Sequence, residues 1–307
     1  MRSTGAIELV SLRPSAPRAY RVAGVRLLTD FALPALRTYA EGDDASWAEA
    51  WDAPAADGGE RAYDGWGLIA DGQRRVVCHV SATGYRLAVD GIATYWISLD
   101  GGQIAEVEVD PQTAFDTRAM AALGAPLILA LARHGIFCIH ASVAAFGDRL
   151  VAFVGESGAG KSTLAGYLDE AGKPGWRRII DDTLPLAPVG DGPLQALPHF
   201  PQLKLPDEQQ PSRLMPERSA LSAIYLLEEG EEVSIVPTRP AAAAMALAAQ
   251  TVASRLFGQA LLAQHLAFCS DLALRLPVQR LCYPRHMAFL PDVRDALTVD
   301  LTNLQGV

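Results

Sequence analysis

Lysine is nearly missing from this chain. Three lysines (Lys161, Lys173 and Lys204) stand against 23 arginines in 307 residues. Acidic residues outnumber basic ones and the formal net charge is −9, so a general nucleic-acid or membrane-surface partner has no electrostatic support. Cysteine is also scarce. Cys78, Cys138, Cys269 and Cys282 have neither metal-ligand spacing nor a disulfide framework, and they read as buried thiols of a reducing compartment. Long apolar runs are absent too. The most apolar stretch, Ala121 to Phe146, is cut by Arg133, His134 and Gly135 into pieces too short to span a bilayer. The N-terminal residues lack an apolar core of signal-peptide length. The expectation is a soluble cytoplasmic protein.

Apolar residues make up 50% of the chain, ample for a sizeable core, and the length suggests two domains. Residues 1–112 read as a β-rich domain, because "YRVAGVRLL" and "YRLAVDGIATYWISL" alternate in part around glycine turns. Between them, the acidic, Ala- and Gly-rich stretch 41–66 reads as a surface excursion with a helical turn around Trp47 and Trp51. Residues 113–307 form the second domain. A helix is expected from Asp116, its cap, to His134, kinked at Pro126 and stopped by Gly135. Farther on, "LSAIYLLE" and "EEVSIVP" pair as a hairpin. Residues 240–274 form one or two packed helices broken near Phe257–Gly258, and "VQRLCYP" is a strand.

One of the few lysines lies in a motif. Gly155-Glu156-Ser157-Gly158-Ala159-Gly160-Lys161-Ser162, followed by Thr163, fits G-x-x-x-x-G-K-[ST] at every fixed position. Glycines let successive backbone N–H groups point at phosphate oxygens, and the helix that follows aims its positive end at the same anion. Lys161 neutralises β- and γ-phosphate charge, and the Ser162 hydroxyl suits Mg²⁺. An apolar strand before the motif and an amphipathic helix after it weigh against a chance match among the glycines.

Upstream, "IFCIHASVAAF" and "RLVAFV" flank Gly147-Asp148, a β-hairpin signal. A turn there pairs Phe146 with Arg149, Ala144 with Val151 and Ser142 with Phe153. Extending the ladder sets His140 opposite Gly155, with Cβ atoms roughly 5 Å apart. A slip of one residue turns His140 to the other face, where it is a core histidine. Downstream, the strand "RRIID" ends at Asp181 and Asp182, where a metal ligand or catalytic base belongs beside a phosphate loop. Neighbours on a strand face opposite ways, so both aspartates reach one site only if the strand ends between them. The plainer alternative is a pair of turn residues.

The segment "HGIFCIHASVAAFGDRLVAFVGESGAGKSTLAGYL" with "RRIIDDTLPL" resembles the catalytic domain of HPr kinase/phosphorylase and its relatives. The resemblance covers residues 120–190 well and the rest of the C-terminal part loosely. It implies an α/β fold: a P-loop kinase core of the HPr kinase type, with a largely antiparallel or mixed sheet and flanking helices, joined to a β-rich N-terminal domain for substrate or partner recognition. It also implies ATP and Mg²⁺, with Asp181 as general base toward a serine hydroxyl, His140 supporting it, Lys161 on the phosphates, and Ser162 and Asp182 at the metal. The Arg/Gly-containing signature of true HPr kinases is missing downstream. The layout, with "FPQLKLP" and "LCYPR", is more similar to the HPr-kinase-like serine kinases of lasso-peptide precursors. The implied acceptor is a serine of a peptide or small protein. The resemblance also implies a homo-oligomer, for which the apolar helices of 240–274 offer an interface. Lys204 and Arg213 read either as substrate-binding cations or as solvated ones. Two other readings share the loop: a nucleotide-binding regulator without phosphotransfer, and a small-molecule kinase or ATPase.

Overall fold

The computed structural model describes residues 6–11, 17–41, 59–69, 72–170, 175–188, 194–202 and 215–304. It is an α/β protein with two mixed sheets and divides into two compact units. The first comprises 1–137, 212–217 and 252–264, and the second 138–211, 218–251 and 265–307.

The first unit carries strands β1 (Ile7–Val10), β2 (Arg18–Val22), β3 (Val25–Thr29), β4 (Ala40–Glu41), β5 (Glu60–Ile69), β6 (Gly72–Val80), β7 (Gly84–Val89), β8 (Ala93–Ser98) and β9 (Gln103–Val109). They form a nine-stranded sheet in the order β4-β2-β3-β1-β9-β8-β7-β6-β5. β1 runs parallel to β3 and β9, and the remaining pairings are antiparallel. Both quoted alternating segments are hairpins, β2–β3 and β7–β8. Trp47 and Trp51 lie outside the described residues. The end of the expected excursion is strand instead, since β5 begins at Glu60.

The single helix expected after residue 116 is two, α1 (Phe115–Leu123) and α2 (Ala125–Arg133), broken at Gly124. Pro126 sits in the first turn of α2. There its missing N–H leaves nothing unpaired, so it starts a helix rather than kinking one. α2 is buried from Pro126 to Ala132 and lies against β8 and β9, which draws both helices into the first unit. Phe115–Arg133 spans 19 residues of hydropathy 1.4, enough by length and composition to cross a membrane, and 61% of its apolar window is buried. The core helices of a globular unit have the same character.

The second unit contains β10 (Phe137–Phe146), β11 (Arg149–Val154), β12 (Trp176–Ala187), β13 (Gln195–Ala196), β14 (Ser219–Glu229), β15 (Ser234–Pro237) and β16 (Val278–Tyr283). Their order is β11-β10-β12-β13-β14-β16-β15, with β11 also paired to β14. Four helices accompany them in the chain: α3 (Lys161–Glu170), α4 (Pro240–Ala249), α5 (Gln259–Arg275) and α6 (Leu290–Asn303). The break between α4 and α5 includes Phe257–Gly258, as expected.

One pairing differs from expectation. β14 does not form a hairpin with β15. It runs parallel to β11 on one side and to β16 on the other, and β15 is antiparallel to β16 at the sheet edge. The reason is visible in the burial of β14, which is continuous from Ala223 to Leu227. A run apolar on both faces belongs in the middle of a sheet, and the half-exposed β15 takes the edge position instead.

β11 and β14 supply Phe153 and Tyr225, whose rings lie 6.1 Å apart. They join a core completed by Leu164 of α3 and by Val293 and Leu297 of α6, all fully buried. This layer seats α3 and, with it, the loop at its start. Phe153→Ala is expected to destabilise the second unit by about 3–5 kcal/mol, read as a lower denaturant midpoint. A change under about 1 kcal/mol would contradict the packing.

Candidate active site

The phosphate-loop motif occupies the turn between β11 and α3. Gly158 and Gly160 have φ of +83° and +93°, a region that only glycine enters without strain. A Cβ on Gly160 would also come 3.0 Å from the Tyr283 hydroxyl. Burial pushes the Tyr283 phenol up, so it stays a neutral neighbour of the loop. Lys161 begins α3 and is 6% exposed. Its ammonium donates to the carbonyls of Gly155 at 2.7 Å and Glu156 at 2.9 Å, which holds the charge inside the curl of the loop.

The hairpin register expected from the Gly147-Asp148 turn is present. Phe146 pairs with Arg149, Ala144 with Val151 and Ser142 with Phe153, and the ladder continues to Ala141 and Val154. It stops there. Gly155 leaves the strand for the loop, and the His140 N–H donates to the carbonyl of Gln250 at 2.8 Å instead. His140 is the one half-exposed residue in β10 before its last position; its neighbours from Phe137 to Ala145 are all buried. Its ring faces a cavity and not the core.

That cavity has a volume of about 320 Å³ and is lined by His140, Ser157, Gly158, Gly160, Lys161, Ser162, Thr163, Asp181 and Asp182. The histidine, the loop and the aspartate pair singled out from sequence therefore share one site. Gly155, Glu156 and Ala159 belong to the same loop but do not line the cavity. Lys204 and Arg213 lie outside the described residues.

Two points differ from expectation. The strand does not end between the aspartates, because β12 runs from Trp176 to Ala187. Both carboxylates reach the cavity by another device: Asp182 has φ of +125°. In a regular strand neighbouring side chains point to opposite faces, and the reversed torsion re-aims one of them. Such a backbone costs of order 1–3 kcal/mol at a residue with a Cβ.

The second point concerns the histidine's partner. The resemblance implied His140 behind Asp181, but His140 meets Asp182. Nδ1 lies 3.2 Å from Asp182 Oδ1 and 2.9 Å from the Asp182 carbonyl oxygen. Asp181 is held by residues that sequence reasoning missed. Ser142 Oγ donates to Asp181 Oδ1 at 2.6 Å, and Arg178 Nη1 lies 3.6 Å from Oδ2. A signal for Ser142 existed. It follows His140 by two positions on one strand, and the period of two puts both on the same face. For Arg178, three residues before Asp181, regular strand geometry gives no such cue.

The oxygen donors fit a hard divalent cation. Ser162 and both carboxylates line one cavity, and Mg²⁺ takes one or two carboxylates together with phosphate oxygens. No cluster of three or more His, Cys, Asp or Glu side chains suited to a metal occurs among the described residues, so such an ion would depend on substrate phosphates to complete its shell.

No protein-family model matches the sequence, and no curated protein matches it. Among solved structures, the Hpr(Ser) kinase/phosphatase from Coxiella burnetii is similar over 55% of this chain and 93% of its own, at 11% identity and a TM-score of 0.32. A likeness that low carries no argument about fold or activity.

Gly160→Ala tests the loop geometry. The strained torsion and the contact with Tyr283 are expected to cost about 1–3 kcal/mol of stability and to weaken inorganic triphosphate binding. Unchanged stability and unchanged binding would contradict the loop conformation.

Proposed function

We propose that the protein is an ATP-dependent kinase that transfers the γ-phosphoryl group to a serine hydroxyl of a peptide or small protein. The observation that carries this reading is the single cavity in which His140, Lys161, Ser162, Asp181 and Asp182 converge. The loop amides and the start of α3 receive the phosphates. Lys161 leaves its two carbonyl partners to lie along them. Ser162 and a carboxylate of the aspartate pair would hold Mg²⁺, which would supply neutralisation of the charge developing on the phosphates.

The different surroundings of the two carboxylates support a division of roles opposite to the one the resemblance implied. Asp181, whose oxygens face a hydroxyl and a guanidinium, suits the cation alongside Ser162. Asp182, backed by an imidazole, suits the proton-accepting role. The acceptor hydroxyl gives its proton to Asp182, and its oxygen bonds to the γ-phosphorus. The bond from that phosphorus to the β,γ-bridging oxygen breaks, and ADP leaves. Most of the rate comes from alignment and charge neutralisation.

The finer reading, that the acceptor is the C-terminal serine of a lasso-peptide precursor, is supported by the resemblance of the sequence layout alone. A cytoplasmic location is supported by the four unpaired cysteines, of which Cys78 and Cys269 have thiols pushed up by burial to about 12 and about 11. A homo-oligomer is supported by apolar side chains exposed on α4 and α5, Met245 at 68% and Leu274 at 74%.

The test is incubation with γ-labelled ATP, Mg²⁺ and synthetic peptides ending in serine. Label on the serine, abolished by Lys161→Ala, is expected. Asp182→Asn is expected to lower transfer by about 10²–10⁴-fold with ATP affinity retained. Hydrolysis that no peptide stimulates would point to an ATPase, and binding without turnover to a regulator. Either outcome overturns the kinase reading.

A further inference from the structure

Two adjacent aspartates share the cavity only because the backbone at Asp182 is reversed, and something must hold a torsion that the chain would otherwise relax. The residue after it shows what does. Thr183 lies within β12, but its N–H and C=O are both taken by one side chain, that of Gln202. Gln202 Oε1 accepts from the Thr183 N–H at 3.3 Å, and Nε2 donates to the Thr183 carbonyl at 3.0 Å. The same Nε2 donates to the Phe200 carbonyl at 3.1 Å, which ties the amide to its own segment. Gln202 is fully buried, at 0% exposure. A primary amide that gives and receives in this way imitates a neighbouring strand for a single residue, at the point where β12 departs from regular geometry.

We propose that Gln202 is a positioning residue: its buried amide clamps the Thr183 backbone and so keeps the reversed torsion at Asp182 that turns both carboxylates into the phosphate-loop cavity. The inference rests on the reading of that cavity as a phosphotransfer site. It goes beyond it by assigning a residue that touches neither substrate nor cation. Without the clamp, the two backbone groups of Thr183 lose their partner in a buried place. The strand's nearest low-energy alternative is ordinary extended backbone, in which Asp181 and Asp182 face opposite ways. The loop, Lys161 and α3 do not depend on Gln202, so nucleotide binding and carboxylate alignment separate.

The experiment uses the full chain with Gln202→Met, which keeps the volume and removes the hydrogen bonds, and Gln202→Glu, which keeps an acceptor for the Thr183 N–H and removes the donors. Binding of Mg²⁺–ATP is measured by titration calorimetry and its turnover with water as acceptor. Backbone hydrogen exchange is followed over residues 180–184, with 161–170 as the internal reference. For Gln202→Met, turnover is expected to fall about 10²-fold while the ATP Kd changes by less than about threefold. Exchange over 180–184 should speed up at least about tenfold, with α3 unchanged. If Gln202→Met does not fold, Gln202→Glu is expected to show the same split to a smaller degree. Turnover and exchange at wild-type levels in a folded variant would overturn the clamp. A Kd that worsens in step with turnover would overturn it too, marking a purely structural role. A wild-type protein that binds no Mg²⁺–ATP would sink the kinase reading instead, and the exchange measurement would still decide whether Gln202 holds the strand.

Discussion

The reversed torsion at Asp182, with φ of +125°, is the constraint on which the site depends. Adjacent strand residues cannot otherwise face one cavity. With it, the two carboxylates acquire different surroundings: a hydroxyl and a guanidinium around Asp181, an imidazole against Asp182. Two like charges so close would resist sharing a site. The hydroxyl and guanidinium on one side and the imidazole on the other make the pair chemically unequal. Unequal carboxylates can divide labour between holding a cation and taking a proton.

The rest of the second unit serves to bring three stretches of sequence to that point. β10 and β11 are joined by a tight turn, so the strand carrying His140 and Ser142 lies beside the strand that feeds the loop. β12 is the other neighbour of β10, which sets the aspartates against the histidine face. β14, buried on both sides and parallel to β11 and β16, is the rigid backing against which the loop strand is held. Local chemistry and sheet order therefore reinforce each other: the period of two along β10 aims its side chains, and the order of strands decides what they meet.

Much of this was legible in the sequence, for identifiable reasons. Gly147-Asp148 between two apolar runs specified a turn, and a turn fixes every pair of the ladder behind it, which is why the register from Phe146–Arg149 onward could be read. The loop was legible because its glycines and lysine have individual chemical reasons. The partner of His140 was not, because it depends on the backbone at Asp182, and nothing in "IIDDT" announces a torsion that aspartate rarely adopts. The placement of β15 was also hidden. Proximity in sequence favoured a hairpin with β14, whereas the burial demanded by an apolar central strand gave that place to β16, which arrives much later in the chain. Gln202 was least legible of all, since its role is to satisfy main-chain groups and no spacing rule marks such a residue.

The most direct measurement of the central claim is a crystal structure of the protein with Mn²⁺ and a non-hydrolysable ATP analogue, the metal located by its anomalous signal. The account predicts the triphosphate curled in the Gly155–Ser162 turn, Mn²⁺ bound by the Ser162 hydroxyl and an Asp181 oxygen, and Asp182 facing the γ-phosphate with His140 behind it. A triphosphate bound elsewhere, or an Asp182 side chain turned away from the γ-phosphate, would contradict it.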